Sequence, residues 1–377
     1  LKRDFALHRH PFQEPSMQGL NSVSPPPASD IRFAAAQDKR RTGSFRVLIA
    51  TDAWRPQVNG VVRTLEGLVA QAPDLGASIT VIGPDRFPSV PMPGYPDIRL
   101  AAPSPAAIAD AIETARPGAI HIATEGPVGF MTRRYCLKHG LPFTTCYHTR
   151  FPEYLAARLP VPLSWSYAAV RRFHAPARAT MAATPALARE LRSHGFERLV
   201  LWKRGVDVPL FAGGRPGKLD LPSPIFLCVA RLAVEKNIEA FLALDLPGSK
   251  VVVGDGPARA DLETRFPDAH FLGMRSGQDL ADAYASADVF VFPSRTDTFG
   301  LVLLEALAAG TPVAAYPVTG PRDVLGVSGC GVLSEDLRAA ALSALSIPRD
   351  RCRAFAQGAT MTDSCRSFLD NVSLAAL

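Results

Sequence analysis

Two carboxylates, Asp297 and Glu305, stand with seven residues between them in the run Phe292-Pro293-Ser294-Arg295-Thr296-Asp297-Thr298-Phe299-Gly300-Leu301-Val302-Leu303-Leu304-Glu305-Ala306. The spacing predicts a strand ending at Pro293, a polar loop, and a helix beginning near Phe299. The free N–H groups and positive dipole end of such a helix favour a phosphate, and Gly300 in its first turn lets a bulky anion approach the backbone. An acid on so apolar a helix needs partners, and hydroxyl groups supply them. The residues alone also allow a plainer reading, with Asp297 as a helix cap and Glu305 as an exposed acid.

A second run, Val229-Ala230-Arg231-Leu232-Ala233-Val234-Glu235-Lys236-Asn237, carries a strand into a loop with two cations, Arg231 and Lys236. Paired cations suit the charge that develops on a departing diphosphate, although surface ion pairs could equally occupy them. Val253-Gly254-Asp255-Gly256-Pro257 is a glycine-rich strand-to-helix turn of a kind found in most wound α/β domains. Nearer the start, Trp54-Arg55-Pro56-Gln57-Val58-Asn59-Gly60-Val61-Val62 joins a strand to a helix, and Gly60 can bring amides near a phosphate. Cys146-Tyr147-His148-Thr149-Arg150-Phe151-Pro152-Glu153-Tyr154 ends another strand with a histidine at its carboxyl end.

The elements that must position these residues alternate. Apolar strands at Phe45–Asp52, Ala77–Gly83, Ala119–Thr124, Phe143–Tyr147, Thr180–Ala183 and Leu199–Trp202 are separated by helical spacing, as at Val61–Ala72, Ala106–Ala115 and Pro185–Ser193. After Gly213-Gly214-Arg215-Pro216-Gly217 the alternation restarts, with strands at Ile225–Ala230, Val251–Gly254, Phe271–Leu272, Asp288–Pro293 and Pro312–Tyr316. Helices fit between these at Asn237–Leu244, Ala258–Phe266, Gln278–Ala287 and Phe299–Ala309. Continuous apolar strands alternating with helices indicate parallel sheets covered on both faces. A chain of 377 residues exceeds one core, so the expectation is two doubly wound α/β domains. The boundaries read 45–212 and 224–360 about a linker at 213–223, with a helix at 361–377 returning to the first domain. Ligands of such sheets sit beyond the carboxyl ends of the strands, which places the site in the cleft between the domains.

These runs, in this order from about Phe45 to the end, resemble glycosyltransferase family 4, the retaining GT-B glycosyltransferases. Their signature is an acid, seven intervening residues and a glutamate. The resemblance implies transfer of a sugar from a nucleotide-diphosphate donor with retention of anomeric configuration. It implies that Asp297 contacts the donor sugar and Glu305 the ribose, with the amides of Phe299, Gly300 and Leu301 on the diphosphate. Asp297 stands where many members have Glu. Arg231 and Lys236 fall on the donor phosphates, Gly60 on the sugar-phosphate and His148 beside the reacting carbon. Gly254 and Gly256 line the nucleotide pocket, and the Leu272-Gly273-Met274-Arg275 run puts Met274 at the base. Asn59, Arg150 and Tyr154 fall on the acceptor side. With two cations available, no metal or other cofactor is expected. Arg204-Gly205-Val206-Asp207 matches a family run whose expected role is to shape the interdomain linker. The pairing of the Pro-Gln-Val-Asn-Gly loop with the Tyr-His-Thr run looks most like the branch that glycosylates diacylglycerol-type lipids, sulfolipid synthases and lipid mannosyltransferases among them. A polysaccharide or small soluble acceptor is the alternative, followed by a GT-B epimerase or a catalytically silent binding protein.

Charge bears on the partner. Between Gly129 and Gly205 stand thirteen Lys and Arg against three Glu, while the whole chain carries only +6. That asymmetry suits an anionic partner such as a membrane surface, or else a solvated basic face. No nucleic-acid motif accompanies it. The expected location is cytoplasmic, peripheral on the inner face of the membrane. The six dispersed cysteines read as reduced thiols. Residues 1–44, with Pro25-Pro26-Pro27 and no apolar periodicity, read as a disordered leader.

Overall fold

The computed structural model describes residues 44–92, 95–156, 161–326 and 328–377. The leader reading and the side chain of Tyr154 lie outside what is described.

The first domain comprises β1 (Phe45–Ala50), α1 (Gly60–Gln71), β2 (Ala77–Ile82), β3 (Ser89–Met92), β4 (Tyr95–Ala101), α2 (Pro105–Ala115), β5 (Ala119–Ile122), α3 (Pro127–His139), β6 (Thr144–Cys146), α4 (Phe151–Ala156), α5 (Leu163–His174), β7 (Ala179–Ala182), α6 (Pro185–Ser193) and β8 (Leu199–Leu201). Its sheet has the order β2-β1-β5-β6-β7-β8, all parallel, with β3 and β4 as a separate antiparallel hairpin. Alternate residues of β1 enter different cores: Val47 and Ile49 on one face, Leu48 and Ala50 on the other. That is the period of two expected where both faces are covered.

The chain passes through α7 (Val208–Ala212) into β9 (Ile225–Val229), α8 (Ile238–Leu242), β10 (Ser249–Val253), α9 (Arg259–Arg265), β11 (His270–Phe271), α10 (Gly277–Ser286), β12 (Val289–Phe292), α11 (Leu301–Ala309), β13 (Val313–Ala315), α12 (Thr319–Leu325), β14 (Gly331–Leu333), α13 (Leu337–Ala344), α14 (Arg349–Ala356) and α15 (Met361–Ser373). The second sheet, β11-β10-β9-β12-β13-β14, is also parallel. Its order reverses between β9 and β12, and such a switch point opens a ligand crevice at the carboxyl ends of the strands.

The crossing between domains does not fall at residues 213–223. Val206, Val208 and Phe211 belong to the core of the second domain, so α7 is part of that domain and the chain crosses just after Trp202. The returning chain crosses beside it, with Val206 donating to Ala359 O and Met361 donating to Val206 O, both at 3.0 Å. Gly205 is needed there, because a Cβ would lie 2.2 Å from Thr360 O. Beyond this crossing α15 packs on the first domain, where Cys365, Phe368 and Val372 join the core containing Trp202. The Trp202 indole N–H donates to Ser364 O at 3.1 Å.

Candidate active site

The loops after β9 and β12 flank the switch point and are tied together. Asn237 Nδ2 donates to Pro293 O at 3.0 Å and the Thr296 hydroxyl to Glu235 O at 3.3 Å. Lys236 forms an ion pair with Asp297. Asp297 therefore does not cap α11, whose N-cap is Gly300. The helix begins at Leu301, two residues later than the spacing suggested, and Gly300 precedes it with φ +84° in the left-handed region. Phe299 and Gly300 thus belong to the entering loop, and Leu301 is the first helical residue. Gly320 of α12 holds this loop from behind, where a Cβ would lie 2.9 Å from Phe299 O.

Glu305 is no exposed helix acid. The helix around it is apolar on every side, and Glu305 is only 4% exposed. Its Oε1 accepts from Arg63 Nη1 at 2.7 Å and its Oε2 from the Tyr284 hydroxyl at 2.9 Å. Burial and the Glu305 carboxylate beside it hold the Tyr284 phenol well above its ordinary pKa, so it remains a donor. Neither Arg63 nor Tyr284 was singled out in the sequence. The one available signal for Arg63 is its place one turn after Gly60 on the same helix.

The first domain meets this crevice with its own helix start. Asn59 caps α1, its Oδ1 accepting from the amides of Val61 and Val62 at 3.0 Å each, so this side chain is committed to the helix. A Cβ at Gly60 would lie 3.6 Å from Leu301 Cδ1, and one turn further along each helix Arg63 meets Glu305. The first turns of α1 and α11 therefore lie against each other across the cleft. Two helix N-termini brought together favour an anion between them.

His148, at the end of β6, also reaches the second domain: its carbonyl accepts from the Thr298 hydroxyl at 2.8 Å. Its Nε2 is buried without a partner, as are Asp297 Oδ2 and Ser294 Oγ. Buried polar atoms are normally bonded, and an unpaired set around a cleft is what a polar ligand would complete.

The remaining expected residues have partners of their own. The Arg150 guanidinium is bidentate on Glu190, at 2.5 and 2.6 Å, and reaches Glu153 at 3.2 Å, with the Tyr167 hydroxyl 2.6 Å from the same Glu153 oxygen. It sits in an internal network of the first domain. Gly254 and Gly256 are explained by close approach, since Cβ atoms there would lie 1.9 Å from Ala230 O and 2.5 Å from Leu232 O. They press the turn after β10 onto the loop that bears Arg231. Gly254 N donates to Gly273 O at 2.9 Å, which brings the segment before Met274 alongside. Met274 itself is half exposed.

Comparison with known proteins bears on the family and the fold. A family model described as "Glycosyltransferase Family 4" matches residues 58–209, and one described as "Glycosyl transferases group 1" matches residues 223–347. The chain is 32% identical over 315 residues to a GDP-mannose-dependent alpha-mannosyltransferase of Mycobacterium tuberculosis, covering 76% of this chain and 83% of that one. This chain belongs to glycosyltransferase family 4. It is also similar to alpha-monoglucosyldiacylglycerol synthase of Streptococcus pneumoniae, at 27% identity over 72% of this chain and 71% of that one. Among solved structures, sucrose-phosphate synthase of Thermosynechococcus elongatus shares the fold, with a TM-score of 0.65 at 19% identity over 88% of this chain and 96% of that one. The architecture is GT-B, and the activity is retaining glycosyl transfer from a nucleotide-sugar donor.

Proposed function

We propose that this glycosyltransferase works at an anionic membrane surface and transfers its sugar to a hydroxyl of a diacylglycerol-type lipid. The donor diphosphate sits between the starts of α1 and α11, with Arg231 and Lys236 on its oxygens and Glu305 on the ribose. Asp297 and His148 contact the sugar, and Gly254, Gly256 and Met274 border the nucleotide. As the glycosidic bond breaks, negative charge grows on the leaving diphosphate. Two cations and two helix termini fixed in a closed cleft stabilise that charge without a metal ion. Closure of the domains aligns the acceptor hydroxyl and keeps water out.

The observation that carries the lipid reading is on α5. Trp165, Ala168, Ala169 and Arg172 are all exposed and fall at helical spacing on one face, with Trp165 71% exposed. Leu163 and Phe151 are exposed nearby in sequence. Phe130 of α3 is exposed too, and its ring packs edge-on against Phe173 of α5 at 4.9 Å. The basic residues Arg134 and Lys138 of α3 and Arg171 of α5 are exposed as well. An exposed tryptophan amid apolar and basic side chains suits the headgroup region of a bilayer. Among the described residues no helix is long and apolar enough to span one. Of the thirteen basic residues in the sequence stretch, Arg150 and Arg204 face inward and add nothing to this surface.

The test is sedimentation with vesicles of phosphatidylglycerol and phosphatidylcholine at increasing salt. The expected result is binding that needs the anionic lipid, weakens with salt and drops about tenfold or more in Trp165→Ser. Equal binding to neutral vesicles, or none to either, contradicts the reading.

A further inference from the structure

Arg204 follows β8 and is buried, at 8% exposure, although the sequence suggested only a linker-shaping role for its run. Its guanidinium carbon lies over the Trp202 ring, 3.7 Å from the centroid. Its Nη2 reaches Cys146 Sγ at 3.3 Å and His148 Nδ1 at 3.4 Å. A guanidinium has five N–H donors and no acceptor. An imidazole nitrogen facing it must therefore present a lone pair, and a neutral imidazole with a bare Nδ1 carries its proton on Nε2. That Nε2 is the buried atom without a partner.

We propose that Arg204 is a positioning residue that fixes His148 in its Nε2–H tautomer, so that the imidazole meets the donor sugar as a hydrogen-bond donor. The proposal rests on the reading of His148 as a sugar contact. The groups around His148 act in the same direction: Arg204 from the end of β8, His121 from β5 and His174 from α5 each oppose a positive charge on it. With burial as the largest cause, its pKa falls well below the ordinary range of histidine. Cys146 on β6 adds no charge, because burial pushes its thiol up to about 11. A neutral donor is also what the reaction needs, since a second cation would repel positive charge developing at the sugar carbon.

The first test uses the wild-type chain labelled with 15N-histidine, with His148 assigned through His148→Gln. The expected spectrum has a bare Nδ1 and a protonated Nε2, unchanged from pH 7.5 to 5.5. A protonated Nδ1 overturns the proposal. The second test is the pH profile of kcat in Arg204→Met and Arg204→Lys, with thermal melts to check folding. Arg204→Met is expected to lose the single tautomer and to move the acid limb of the profile to higher pH than in the wild type, though short of an ordinary histidine, because burial and the neighbouring His121 and His174 remain. Arg204→Lys, which restores a donor, is expected to keep the wild-type tautomer and profile shape. A tautomer and profile unmoved in Arg204→Met overturn the proposal. Wild-type turnover in His148→Gln instead overturns the sugar-contact reading, and the wild-type spectrum separates the two failures.

Discussion

Arg63 Nη1 lies 2.7 Å from Glu305 Oε1 and so joins a helix of the first domain to a helix of the second. The carboxylate is almost fully buried and has one further partner, Tyr284. A donor ribose that binds Glu305 must therefore share it with Arg63 or displace it.

This makes Arg63→Ala informative. Removing one partner of a buried pair leaves an uncompensated charge, and because Arg63 is 28% exposed the cost is on the order of 1–3 kcal/mol. The variant is expected to melt several degrees lower and, lacking a cross-domain tie, to show a larger radius of gyration in small-angle scattering. An unchanged melt and scattering curve would mean that the pair does not hold the domains.

Gly60 and Gly300 separate binding from folding. A methyl at Gly60 meets only Leu301 Cδ1 at 3.6 Å, an ordinary contact, but it stands between the two helix termini. Gly60→Ala should keep its melting temperature within about 2 °C and lose at least tenfold in kcat/KM. Gly300 has φ +84°, and a Cβ there would lie 3.1 Å from Leu303 and 3.2 Å from Phe292. Gly300→Ala should lose stability, by about 1–2 kcal/mol, as well as activity. Denaturant melts beside steady-state kinetics check both. Full activity in a folded Gly60→Ala would remove the diphosphate from this position.

Lys236 pairs with Asp297 in this structure, and both are assigned to the donor. Lys236→Ala is expected to lower kcat by about 100-fold, the scale of removing one group that stabilises transition-state charge. With Arg231 and Lys236 carrying that charge, turnover should be unchanged after EDTA treatment. A loss restored by added Mg2+ or Mn2+ would show that the cations are not sufficient.

The strand and helix alternation was legible because the parallel strands are continuous apolar runs, as in Ile225–Val229, where every residue is buried. The β3–β4 hairpin was not, since Ser89–Met92 contains Pro91 and has no run of that kind. The crossing between domains was misplaced for a physical reason. Gly213–Gly217 is a strong turn signal, whereas the true crossing depends on one glycine, Gly205, whose need arises from contact with Thr360, far along the chain. The loops bearing Arg231, Lys236 and Asp297 were readable because they end strands. The partners of Glu305 were not, because Arg63 is 242 residues away in sequence and only the fold brings them together. The engagement of Arg150 by Glu190 was equally hidden, because forty residues separate them in sequence.

Acid should destabilise the chain through its enclosed histidines. His121 bonds Thr144 through Nδ1, packs edge-on to Trp202 and Phe368, and burial pushes its pKa down to about 3. His148 is lowered as well. In the unfolded chain both titrate near 6.5, so below that pH the unfolded state binds more protons. Stability is therefore full above about pH 6.5 and falls as pH drops, by about 1.4 kcal/mol per pH unit for each histidine until its folded-state pKa is reached. Denaturant melts of His121→Leu between pH 7.5 and 5 should show a shallower acid loss than wild type by about that amount. Parallel profiles would contradict the assignment.

Product analysis distinguishes transfer to a lipid from every other outcome. The purified chain is incubated with a panel of UDP-, GDP- and ADP-sugars and vesicles containing diacylglycerol, and both released nucleoside diphosphate and glycolipid are followed, with the anomeric configuration read by NMR. Release should depend on one donor and rise with the lipid, the glycolipid should keep the donor's configuration, and both should fall about 100-fold in Lys236→Ala. Lipid-independent release with no glycolipid, or a product of inverted configuration, would contradict this reading.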